Sequence, residues 1–164
     1  MNMISKLAAQ AVLATLVATG AASAQTITLE QAHALLDPFY AALDRPATKD
    51  IRALVEQALS PDWKSYANDT DFKGREAFIN QMVGLAKSVP DMRWEVRDML
   101  VSGNRVIVRS MASGTPQGQF MGMPVAGNKS FAIMAIDIHT IADGQGILAH
   151  HVEDWASAMR QLKP

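Results

Sequence analysis

The sequence predicts an α+β domain in which helices come first and an antiparallel sheet second. Three observations support this. Apolar residues recur at helical spacing from Leu29 to Leu85. From Met92 onward the apolar period drops to two. Turn signals, "SGN" and "DGQG", then separate the strand-like runs. Helices followed by strands imply helices packed on one face of a curved sheet.

Element by element, "TLEQAHALLDPFYAAL" opens with a capping box, Thr28 followed three residues later by Gln31. Leu29, Ala32, Leu35, Leu36, Phe39, Tyr40 and Leu43 continue it as an apolar stripe, with Pro38 expected to kink the helix or end its first segment. "TKDIRALVEQAL" reads as a second helix, and "DWKSYAN" as a short strand or turn. "GREAFINQMVGLAKSV" is a third helix. "MRWEVRDMLVS" and "RVIVRSMAS" form a hairpin around "SGN", and a glycine- and proline-rich stretch follows. "SFAIMAIDIHTIA" is the longest strand, "ILAHHVE" the last, and a terminal helix starts from Asp154.

The first 24 residues stand apart as an expected secretory signal, with Lys6, the apolar run "LAAQAVLATLVATGAA" and "ASA" before Gln25. The run is short for a membrane span and no polybasic stop-transfer segment follows it. Cleavage after Ala24 and export to a periplasm or the medium are therefore expected. Residues 25–164 then form one domain, long enough for a real core. Without Lys6 the balance is 14 basic residues against 16 acidic ones, which leaves no electrostatic footprint for nucleic acid. The chain has no cysteine, hence no disulfide, thiol nucleophile or thiolate metal site.

On "FAIMAIDIHTI", Phe131, Ile133, Ala135, Asp137, His139 and Ile141 share one strand face, and Met134, Ile136 and Ile138 share the other. A strand apolar on both faces is expected to be covered on both, by the helices and by a second subunit. Arg109 is either a rim residue or a charge pointing into a cavity, and it forms a pair with Asp137 if both are buried. Near the C-terminus "HHVEDW" places His150 and His151 just before Glu153 and Asp154, where strand hands over to helix. Strand alternation sends the two histidines to opposite faces and groups His150 with Val152 and Asp154. Asp154 is also a strong helix N-cap. Adjacent histidines beside one carboxylate lack a usual ligand spacing, so no metal site is expected.

"GREAFINQM", "PDMRWEV", the run "G-x-F-x-G-x-P-x-x-G" from Gly118 to Gly127, and Asp154 seven residues before Gln161-Leu162 together resemble the SnoaL-like polyketide cyclases. The resemblance extends from about residue 35 to residue 162. It also reaches an ester-cyclase subgroup carrying "HxEDW", within the nuclear-transport-factor-2-like superfamily. It implies a cone: a bent antiparallel sheet wrapped around N-terminal helices, with an apolar pocket inside and dimerisation through the outer sheet face. It also implies an intramolecular aldol ring closure without metal or organic cofactor, with Asp154 as general acid and base. A histidine of the pair, His151 by the "HxED" match or His150 by strand parity, would assist. Trp63, Tyr66 and Arg109 would orient a carbonyl-bearing substrate; Trp63, Tyr66 and Tyr40 either line the pocket or are core aromatics, and Phe120, Met121 and Met123 either wall the ligand site or fill the core end of the cone. Where the family often has a histidine, in "DWKSYANDTDFKG", this chain has Trp63, Tyr66 and Asn68. The alternative to an enzyme is a binding protein that uses the same pocket without catalysis, since one fold hosts both.

Overall fold

A computed structural model describes residues 26–125 and 128–163. The expected export signal, and the last glycine of the glycine-rich run, lie outside the described residues. Among the described residues no helix is long and apolar enough to cross a membrane.

Helix α1 (Leu29–Leu43) begins at the expected capping box. The Thr28 hydroxyl accepts from the Gln31 backbone N–H at 3.1 Å, and the Gln31 side chain accepts from the Thr28 N–H at 2.8 Å. The helix runs through Pro38 rather than stopping there. Its neighbours Leu36, Phe39 and Tyr40 are buried, so core packing holds the turn whose hydrogen bond proline removes. Asp44, just past the helix, accepts from Arg93 Nε at 2.9 Å and from the Trp94 N–H at 3.2 Å, tying the end of α1 to the first long strand. Helix α2 (Ile51–Ala58) is capped by Asp50, and α3 (Arg75–Ser88) lies beyond β1 (Leu59–Tyr66) and β2 (Phe72–Gly74).

The sheet continues with β3 (Arg93–Ser102), β4 (Arg105–Gly114), β7 (Phe131–Ala142) and β8 (Gln145–Glu153). Strands β5 (Gln119–Phe120) and β6 (Met123–Pro124) form a separate small hairpin within the glycine-rich stretch, and α4 (Trp155–Leu162) closes the fold. In the sheet the order is β2-β1-β8-β7-β4-β3. The meander β3-β4-β7-β8 is antiparallel as expected. The expectation of an antiparallel sheet throughout needs one correction: β1 pairs with β8 in parallel. Strand β1 follows α2, a crossover no local turn signal reveals, and it turns a meander into a mixed sheet.

Curvature comes from breaks in register between Val96 and Asp98 on β3, between Gly146 and Leu148 on β8, and between Leu59 and Lys64 on β1. Each break leaves residues unpaired and bends its strand. The Asp143-Gly144 turn, with φ of 50° and 73°, has both residues in the left-handed region, as a tight hairpin between twisted strands requires. The bent sheet closes around α1. The predicted inward set on β7, Phe131, Ile133, Ala135, Asp137, His139 and Ile141, is buried without exception. Met134 on the opposite face is 48 % exposed. The result is the cone expected from the sequence, with α1 and the concave face of the sheet forming the core.

Candidate active site

The site follows from strand alternation on two neighbouring strands. Asp137 on β7 lies directly across from His151 on β8, and Ala135 lies across from Glu153. Asp137, His151 and Glu153 therefore emerge on the same concave face. Helix α1 brings Tyr40 against them from inside. Its hydroxyl lies 3.1 Å from Asp137 Oδ2 and 2.8 Å from His139 Nε2.

This buried chain has a direction. His139 is wholly buried, and burial, followed by the charge of His151, pushes its imidazole down to about 3, so it is neutral. Its Nδ1 has no partner. An orphaned lone pair costs less than an orphaned buried N–H, so the proton belongs on Nε2. His139 then donates to the Tyr40 oxygen, and Tyr40 donates its single proton to Asp137. Burial and the neighbouring Asp137 raise the Tyr40 phenol well above its ordinary value, so it stays a donor.

Asp137 is pushed up to about 7, mainly by burial and next by the negative charge of Glu153, against the opposing hydrogen bond from Tyr40. His151 Nδ1 sits 2.8 Å from Glu153 Oε1, and this hydrogen bond raises the imidazole above its ordinary value despite burial. Trp155 Nε1 donates to the other Glu153 oxygen at 3.1 Å, so Glu153 is fixed on both sides. Asp137, His151 and Glu153 place one ligand atom each within 4.8 Å of one another. The sequence spacing did not suggest this donor set, which has the composition to hold a divalent cation.

These groups form the polar end of a cavity of about 410 Å³. Ser65, Lys73 and Gln81 join them, while Phe39, Trp63, Phe78, Trp94, Phe120 and Trp155 contribute apolar wall. A volume of this size suits a small organic molecule.

The predicted residues divide between the two sides of the sheet. His151 faces the cavity, and Trp63, Phe120 and Met121 line it. Tyr40 is buried behind Asp137. Asp154 lies outside the cavity wall: its exposed carboxylate accepts from the Ser157 N–H at 2.9 Å and caps α4. Hydrogen bonds from Ser157 hold it below the usual carboxylate range. The physical reason is parity. Strand β8 keeps a regular register from Ala149 to Glu153, so Glu153 shares the face of His151, and Asp154 falls one position out of phase. His150 points to the outer face and stacks on Tyr66, with ring centroids 5.3 Å apart. Asn68 turns the loop after β1 by accepting from the Thr70 and Asp71 N–H groups. Tyr66, Asn68 and His150 edge a smaller outer groove of about 190 Å³. Arg109 is exposed, paired in register with Asp98 and Ile136, so it forms no buried pair with Asp137.

The sequence patterns do not single out Glu153, Lys73 or His139 as site residues, and they mark Asp137 only as a buried or rim charge. Alternation alone separates His151 and Glu153 from His150 and Asp154. The register that brings Asp137 opposite His151 is a long-range fact.

The directed chain gives a measurable consequence. At pH 5, nitrogen NMR of the histidines should show His139 neutral with its proton on Nε2, and His151 charged. A doubly protonated His139 at that pH would overturn this hydrogen-bond direction.

A model of the SnoaL-like polyketide cyclase family matches residues 34–162. Among solved structures, TsrD from Streptomyces laurentii superposes with a TM-score of 0.72 at 24% identity, covering 83% of this chain and 97% of that one. A candidate SnoaL-like polyketide cyclase from Jannaschia has a TM-score of 0.69 at 22% identity, covering 85% and 99%. A candidate polyketide cyclase from Bacillus cereus has a TM-score of 0.65 at 26% identity, covering 81% and 80%. No curated protein matches the chain. With the family model spanning most of the sequence and the cone confirmed by these superpositions, the chain belongs to the SnoaL-like polyketide cyclase family.

Proposed function

We propose that this protein is a cofactor-independent, polyketide-cyclase-like enzyme that moves a proton at the carbon next to a carbonyl and closes a ring by aldol addition. One observation carries the reading: the Asp137 carboxylate, buried at the polar end of an apolar cavity and pushed up to about 7, beside the His151–Glu153 pair. A base with a pKa near neutrality removes a carbon-bound proton far better than an ordinary carboxylate.

In this mechanism ionised Asp137 takes the α-proton, using the oxygen that Tyr40 does not hold. Charged His151, oriented by Glu153, donates to the carbonyl oxygen and stabilises the enolate. The enolate carbon attacks a second carbonyl of the same molecule. The new alkoxide takes the proton from His151, and Asp137 returns its proton to restore the imidazolium. One C–C bond forms, one carbonyl becomes an alcohol, and no atom is lost. Trp63 and Phe120 wall the apolar body of the substrate.

Asp154, the base implied by resemblance, keeps the capping role its geometry supports in this proposal. The test is α-proton exchange of aryl methyl ketones in deuterium oxide, followed by proton NMR. Asp137→Asn should slow exchange by about a hundredfold or more. Asp154→Asn should leave the rate near that of the unmodified protein. Exchange that survives in Asp137→Asn at full rate would sink the assignment. Ketones that bind without ever exchanging would favour a binding protein instead.

The proposal includes export, supported by Lys6, the apolar run and "ASA" before Gln25. It also includes a homodimer. The outer sheet face exposes Leu100 at 58 %, Met134 at 48 % and Val152 at 62 %, an apolar surface of the kind a second copy covers. Analytical ultracentrifugation at micromolar concentration should return twice the protomer mass; a clean monomer would refute the dimer.

A further inference from the structure

The polar end of the cavity contains one cation that the acid–base chemistry does not use. Lys73 sits on the edge strand β2, opposite Ser65 of β1, and its side chain lines the cavity beside His151 and Glu153. It is the only lysine or arginine in that wall among the described residues. Its ammonium hydrogen-bonds the neutral side-chain carbonyl of Gln81. No carboxylate lies within 4.0 Å of it among the described residues. Glu153 acts on it only at longer range, since the two oxygens of Glu153 are taken by His151 and Trp155. A half-buried ammonium facing an apolar cavity without a contacting counter-ion is an incomplete arrangement.

We propose that Lys73 anchors a carboxylate on the ligand, so that the cavity takes an apolar, aromatic-walled carbonyl compound bearing an acid group. The inference deepens the proposed function and rests on it, since it names the substrate class of the same cavity. Among the titratable groups facing the space, Asp137, His151 and Glu153 are engaged with one another, and Lys73 is the one cation left to meet a ligand anion. The rest of the wall is largely apolar, with Phe39, Phe78, Trp94 and Phe120 among its side chains, so an amphipathic acid with its head at Lys73 finds rings for its apolar body.

The test compares naphthoate with its uncharged amide, naphthamide, by isothermal titration calorimetry at pH 6. The two probes share size and rings and differ in charge. Naphthoate should bind about tenfold more tightly than the amide, the scale of one charge-assisted hydrogen bond. Lys73→Met should abolish that preference, and Lys73→Arg should keep it. Naphthoate binding no better than the amide would overturn the anion site and leave the cavity reading intact. So would a preference that persists in Lys73→Met. If neither probe binds, the ligand cavity of the proposed function fails, and this inference fails with it.

Discussion

The site depends on placing one carboxylate, Asp137, on the concave face of a closed cone. Every neighbouring feature adjusts to that burial. A buried carboxylate must lose its charge or find partners. Tyr40 supplies one hydrogen bond from α1, and the directed chain from His139 commits the phenol's proton to it. The nearby Glu153 works the other way and adds to the effect of burial. The opposing influences settle the group near neutrality, where a carboxyl is useful as a base and later as an acid.

Burial also links stability to pH. The Asp137 carboxyl ionises at about 7 in the fold but near 4 in an unfolded chain. Between those values the folded state holds the proton more tightly. This group's contribution is therefore fully favourable below about pH 4 and is lost as pH rises through 7. Such a cost, retained in the cavity wall, is characteristic of a functional group rather than a packing one. The opposite case lies one residue past β8. Asp154 is exposed and hydrogen-bonded by Ser157, and it stabilises a helix start without approaching the cavity.

Much of the fold was legible because it is local. The capping box at Thr28, the period-two run on β7 and the Asp143-Gly144 turn are each set within a few residues. The parallel β1–β8 pairing was not, because it joins segments far apart in sequence. The site was legible to a similar extent. Alternation put His150 and His151 on opposite faces, and the inward set on β7 already contained Asp137 and His139. What sequence lacked was register: nothing local says that Asp137 faces His151, or that Tyr40 reaches both Asp137 and His139. The family resemblance points to Asp154 by position in the chain, and a shift of one residue along a strand reverses the face.

The most direct measurement is a pH titration of the Asp137 carboxyl carbon by NMR in the folded protein. The account predicts a midpoint near 7. A midpoint near the ordinary value of about 4 would mean that the carboxylate is solvated or fully paired, and would contradict the role given to it.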